Sequence, residues 1–183
     1  TKEGLNAYVT YLRDDKEMRN TTIQKQIAFL KWFLRWGKRE GYNKTDAYLT
    51  FKPKMPKTEK KVIFLDWDEL MMVYKFDFTT VEDIDADNAK ALERVRDVFC
   101  FCCFTSLRYS DVENLKRSDI KNGEISITTI KTDDTLTIEL NDYSSAILAK
   151  YAGEVYPENK ALPVISNQKM NDHLKDLGKV CEL

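Results

Sequence analysis

The segment from Ala89 to Phe104 constrains the fold most, because it closes on an unbroken apolar run, Val98-Phe99-Cys100-Phe101-Cys102-Cys103-Phe104. A helix with so little polar surface has to be enclosed by other elements rather than laid on an exterior. It is therefore predicted to be the core helix of a domain, broken by Thr105-Ser106-Leu107. Its thiols read as buried groups in a reducing, cytoplasmic compartment. Cys100 and Cys103 share a Cys-x-x-Cys spacing, but no second pair and only one histidine, His173, accompany them. Neither a metal nor a cofactor is expected.

Around this helix the pattern is mixed. Asp66 or Asp68 can cap a helix beginning near Glu69, and Phe76 to Asn88 reads as an acidic surface loop. Ser110-Asp-Val-Glu113 has the form of a capping box, which predicts a helix from about Asp111 to Lys116. Between Gly123 and Leu140 the period changes from helical to alternating. Ile125 and Ile127 mark one strand, Leu136, Ile138 and Leu140 the next, and Asp133-Asp134 the turn of a hairpin. Helical spacing resumes over Ser144–Tyr151 and Asn167–Val180. The fold class predicted is mainly α with a small antiparallel β-hairpin, an α+β arrangement.

The first third of the chain is helical and basic. Leu5, Tyr8, Val9 and Leu12 recur at helical spacing. Thr21 and Gln24 offer a capping box for a helix that runs to about Glu40 and stops near Gly41. Its inner stripe is Ile23, Ile27, Leu30 and Leu34. Lys25, Lys31, Arg35, Lys38 and Arg39 fall on one arc, roughly 60° to 200° around the axis from Ile23. Phe29, Trp32 and Trp36 form a second apolar stripe, expected to pack so that at least one indole is buried. The lysine-rich segment from Phe51 to Lys61, with Pro53 and Pro56, reads as an extended linker. Domains are accordingly drawn at 1–51 and 62–183, joined by a basic linker at 52–61.

Charge follows the same division. Residues 1–61 hold 15 Lys and Arg against 7 Asp and Glu, whereas residues 62–183 hold 14 against 23, so a chain of net charge -1 contains a +8 part and a -9 part. A basic module joined to an acidic one suits a nucleic-acid binder. No apolar run reaches the roughly 18 residues of a membrane span, and no membrane association is expected.

Two cations stand where a phosphate could be held. Arg108 lies just before the predicted helix at Asp111, where free N–H groups and the helix dipole favour an anion, and a guanidinium can grip two phosphate oxygens. Asp111 could orient that guanidinium from behind. Lys131 lies at the hairpin end, where an ammonium can approach a nucleic-acid backbone while the strands pack on the core.

The segment Cys103-Phe-Thr-Ser-Leu-Arg-Tyr-Ser-Asp-Val-Glu-Asn-Leu-Lys-Arg-Ser-Asp-Ile120 resembles the first-arginine box of the tyrosine recombinases, the phage-integrase family. Ile130-Lys131-Thr132, ahead of a strand ending at Leu140, resembles that family's hairpin lysine. Thr21 to Tyr42 resembles its helical, SAM-like core-binding domain, and Phe64 to Leu70 the start of its catalytic domain. The likeness spans nearly the whole chain in the right order. Ser106 departs from it, standing where the family often has glycine in a tight turn.

The resemblance implies a site-specific recombinase or integrase of a mobile element or resolution system. Such an enzyme cuts and rejoins double-stranded DNA through a 3′-phosphotyrosine, without cofactor, usually as a homotetramer on two sites. Arg108 and Lys131 would be catalytic and Asp111 a supporting residue. Lys25, Lys31, Arg35, Lys54, Lys57, Lys60 and Lys61 would contact DNA. The family's His-x-x-Arg box and nucleophilic tyrosine are expected beyond Gly178, and His173 lacks an arginine three residues on. The 183-residue chain is therefore expected to bind DNA, to be inactive by itself and to be monomeric. Two other readings predict different observations: a non-catalytic DNA-binding or adaptor protein of the same fold, and a protein-interaction module whose Trp32 and Trp36 are exposed.

Overall fold

The stripe of Ile23, Ile27, Leu30 and Leu34 packs as its spacing predicts. Helix α2 (Asn20–Arg39) buries Ile23 and Ile27 against Leu5 and Val9 of helix α1 (Lys2–Thr10), with Leu12, Tyr48 and Phe51 completing the cluster. The computed structural model describes residues 1–56, 62–81 and 84–183. They divide into two units, Thr1–Ile63 and Phe64–Leu183. In the first, α1 runs on into a π-helical turn, Tyr11–Asp15, and α2 begins two residues earlier than the Thr21 capping box implies, with Arg19 at its N-cap and no side-chain cap. Gly41, at φ +81, and the Tyr42 and Asn43 amides, which both donate to the Gly37 carbonyl, end α2 where expected. Met55 still packs on this cluster. The second apolar stripe does not pack as predicted. Phe29, Trp32, Phe33 and Trp36 are all exposed, because α1 and the 48–55 segment together cover only one face of α2.

The second unit is built on the predicted core helix, α4 (Ala86–Thr105). It starts three residues ahead of the expected Ala89, capped by Asp85, which accepts from the Asp87 and Asn88 amides. Helices α3 (Trp67–Lys75), α5 (Tyr109–Asn114), α6 (Asp142–Lys150) and α7 (Asn167–Val180) all contact α4. Val95, Val98, Cys100 and Phe101 are sealed among them. Burial pushes the Cys100 and Cys102 thiols up to about 12, whereas Cys103 faces outward, against the expectation of a fully buried cluster. The surface loop expected from Phe76 to Asn88 is shorter, since its last residues open α4, and its first part forms a short 3-10 turn, Phe78–Thr80, that buries Phe78. Asp66 rather than Asp68 caps α3, in a reciprocal capping box with Glu69.

The hairpin is real and has one strand more than was read. Strand β1 (Ile120–Lys121) pairs with β2 (Glu124–Thr128), which pairs with β3 (Thr135–Glu139), all antiparallel, with Ile125 opposite Ile138. Two residues are too few to show an alternation, so β1 left no period in the sequence. Ile125 is fully buried and fastens the sheet to the α4 core. The fold is thus mainly helical with a three-stranded sheet, and no helix among the described residues is long and apolar enough to cross a membrane.

Ser106 ends α4 in the left-handed region, at φ 58 and ψ 15. A side chain there costs roughly 1–2 kcal/mol relative to glycine's freedom of that region. Part of the gain on removing it is lost to the greater entropy of a glycine-containing unfolded chain. Ser106→Gly is expected to stabilise the chain by about 0.5–1 kcal/mol, read as a higher urea midpoint at unchanged slope.

Candidate nucleic-acid interface

The turn between α4 and α5 is fixed from inside. The Thr105 hydroxyl donates to the Phe101 carbonyl at 2.7 Å and accepts the Leu107 amide at 3.4 Å, and Leu107 is buried. The next residue, Arg108, therefore emerges at the surface as the N-cap of α5 itself. The predicted cap, Ser110, lies within the helix instead, since the Arg108 carbonyl already accepts the Asp111 and Val112 amides at 3.0 and 3.1 Å. Among the described residues Arg108 has no ion pair and no side-chain hydrogen bond. Tyr109, whose role the sequence did not signal, donates its hydroxyl to the Ile165 carbonyl and so ties α5 to the segment before α7. Burial and the neighbouring Glu113 push its pKa up to about 12, which keeps it a neutral donor.

Asp111 is only 4% exposed, and its carboxylate accepts the Ile130 amide at 3.1 Å. The sequence reading had this carboxylate orienting the Arg108 guanidinium. In the structure its hydrogen bond goes to the hairpin tip, because α5 turns Asp111 inward while Arg108 stays outside. The bond joins the helix that starts at Arg108 to the residue just before Lys131. The tip is ordered by Thr129, which is buried. The Thr129 amide donates to the Asp134 carbonyl at 2.9 Å, its carbonyl accepts the Asp133 amide at 3.0 Å, and its hydroxyl pairs with that of Thr132 at 2.9 Å. Asp133 closes the turn at φ 58. Lys131 is left exposed, without an ion pair among the described residues.

In the first unit the predicted basic residues separate into two groups. Lys31 is occupied, since its ammonium donates to the Leu49 and Phe51 carbonyls at 3.3 and 3.0 Å and clamps the chain leaving α2. That removes it from the set of open cations. Lys38 pairs with Asp46. Lys25 and Arg35 are exposed and have no such partner among the described residues. Lys54, also exposed, shares a cleft with Lys2, Arg13 and Lys52. The sequence pattern did not show that α1 and the π-helical turn after it would bring Lys2 and Arg13, the latter ion-paired with Asp14, to Lys54. Lys57, Lys60 and Lys61 lie outside the described residues.

A hydrogen bond to a charged acceptor contributes about 1.5–3 kcal/mol. Asp111→Ala is expected to speed amide exchange at Ile130 by roughly tenfold or more, while Asp111→Asn, which keeps an acceptor oxygen, changes it far less. Site-resolved hydrogen exchange by NMR checks both, and equal exchange in the two variants would show that the carboxylate does not hold the hairpin.

No protein-family model and no curated protein matches the chain. Solved structures do. A lambda integrase tetramer bound to a Holliday junction superposes with a TM-score of 0.75 at 18% identity, covering 100% of this chain and 51% of that one. Lambda integrase bound to DNA gives 0.72 at 17% identity, with 100% and 64% covered. A lambda integrase dimer on a COC′ core site gives 0.71 at 17% identity, with 100% and 51% covered. This chain therefore spans between 51% and 64% of the length of these structures. Over its whole length the chain has the fold of lambda integrase.

Proposed function

We propose that the chain is the DNA-engaging part of a site-specific tyrosine recombinase, with residues 1–51 as its core-binding domain and 62–183 as the first part of its catalytic domain. The observation that carries this reading is the Asp111–Ile130 hydrogen bond. It couples an arginine on one element to a lysine on another, both without an ion pair among the described residues, in a fold shared with DNA-bound lambda integrase.

The chemistry asks two things of these residues. When a tyrosine attacks a phosphodiester, negative charge builds on the non-bridging oxygens and the leaving 5′-oxygen needs a proton. The Arg108 guanidinium meets the first need by fixed hydrogen-bond donation to the phosphoryl oxygens. The Lys131 ammonium, protonated at neutral pH, meets the second as general acid. The phosphotyrosine linkage conserves the energy of the broken bond, so a free 5′-hydroxyl can reverse the step on new ends without ATP. None of the chain's nine tyrosines follows a His-x-x-Arg box, so the nucleophile is assigned to none of them. The chain binds duplex DNA and does not cleave it. In the intact enzyme, two duplexes and a tetramer supply the exchange partners.

Lys25, Arg35, Lys54 and the cleft around Lys54 supply phosphate contacts that position the duplex without reading its sequence. Binding to a labelled duplex, followed by anisotropy across a salt series, is expected to fall with a log–log slope of about -0.9 per phosphate contact. Lys25→Ala and Arg35→Ala should each flatten that slope by about one. Affinity that stays constant from low to moderate salt would refute the duplex-binding assignment. A suicide substrate, incubated with the chain, is expected to yield no covalent adduct, and an adduct would overturn the claim that the nucleophile lies elsewhere.

A further inference from the structure

Helix α2 carries five cations and no carboxylate in its 20 residues. Its solvent face carries rings: Phe29, Trp32, Phe33 and Trp36 are 69%, 60%, 51% and 38% exposed, and Tyr42 just beyond is 80% exposed. The rings lie on one another rather than on the core. Phe29 and Trp32 have centroids 5.8 Å apart, Phe33 and Trp36 5.5 Å, and Trp36 and Tyr42 5.9 Å, all tilted by less than a right angle toward stacking, at 34°, 30° and 38°. By helical spacing Trp32 falls between Arg39 and Lys25, at roughly 180° from the buried stripe, with the other rings following it around the helix.

Exposed rings cost free energy in water, and a patch of them marks a surface that a partner covers. A second copy of this unit would bring two +8 surfaces together, which like-charge repulsion opposes. A duplex supplies phosphates but keeps its base faces stacked inside. An unpaired strand offers both a phosphate chain for the cations and free base faces for the rings, the combination used by single-strand binders. We propose that the aromatic face of α2 is a stacking platform for unpaired DNA bases, with Lys25 and Arg35 holding the adjoining backbone. The proposal rests on the DNA-binding reading above and deepens it. Strand transfer between duplexes requires bases to leave their partners, and this face would hold them while unpaired.

The test uses the 183-residue chain with Trp67→Phe, which leaves Trp32 and Trp36 as the only indoles. Titration with an oligothymidylate of about 20 nucleotides is expected to quench their fluorescence. Trp32→Ala should weaken that binding about tenfold, Trp32→Phe by less than about threefold, and Phe29→Ala should behave like Trp32→Ala. Affinity for a duplex of equal length should change by less than about twofold in every variant. Since these side chains are exposed, the urea midpoints should stay put. Loss of equal size on single strand and duplex, or an absence of quenching, would overturn the platform while leaving duplex binding standing. Loss of duplex binding in the unaltered chain would instead sink the underlying reading. Quenching by phosphatidylglycerol vesicles but not by the oligonucleotide, or self-association in sedimentation that Trp32→Ala abolishes, would assign the face to a membrane or to a second copy and overturn the proposal.

Discussion

The second unit depends on a buried carboxylate at its centre. Asp97, in the middle of α4, is 2% exposed and would be untenable alone in an apolar core. It is met by the Arg96 guanidinium at 2.8 Å, the Lys150 ammonium at 2.6 Å and the Tyr151 hydroxyl at 2.7 Å. Lys150 and Tyr151 close α6, so the network sets the position of α6 against α4, while Arg96 also reaches the Phe76 carbonyl at the end of α3. Apolar packing around α4 is non-directional and would tolerate several helix arrangements. The carboxylate, which has to find its partners, selects one. Removing a single partner from such a cluster typically costs about 3–5 kcal/mol, more than most isolated core contacts. Burial and Asp97 also push the Tyr151 hydroxyl pKa far up, so the donor stays protonated throughout the physiological range.

That fixed frame gives meaning to the much smaller contacts around Arg108. The Thr105 hydroxyl and the left-handed Ser106 turn the chain out of α4, Leu107 anchors it, and Arg108 follows at the surface. Asp111 and Tyr109 then face inward and tie α5 to the hairpin and to the approach to α7. The two inward residues are spent on position, which leaves the outward cation free for a ligand.

Much of this was legible in the sequence, and the reasons are physical. The α4 run, the hairpin alternation and the bounds of α7 follow from long periodic signals that tertiary context does not override. Errors gathered where a choice is made by a neighbour in space. Ser110 and Arg108 compete to cap α5, and the turn out of α4 decides it. Thr21 loses its cap to an earlier start of α2. The orientation of Asp111 and the engagement of Lys31 depend on carbonyls and amides up to 20 residues away, which no local pattern encodes. The largest misjudgement concerned Trp32 and Trp36. Large apolar side chains at helical spacing are ordinarily core, but the small first unit has too few partners to cover a second face of α2.

The Thr129-centred tip of the hairpin has a thermodynamic corollary. Its turn is already closed by backbone and hydroxyl bonds, so the main chain around Lys131 surrenders its conformational freedom during folding and not on meeting a ligand. Ordering one backbone residue costs about 1–2 kcal/mol of entropy. A loop of this length that became ordered only on contact would forfeit a large share of the interaction energy, whereas a pre-organised one delivers its ammonium at the cost of a single side chain's rotamers.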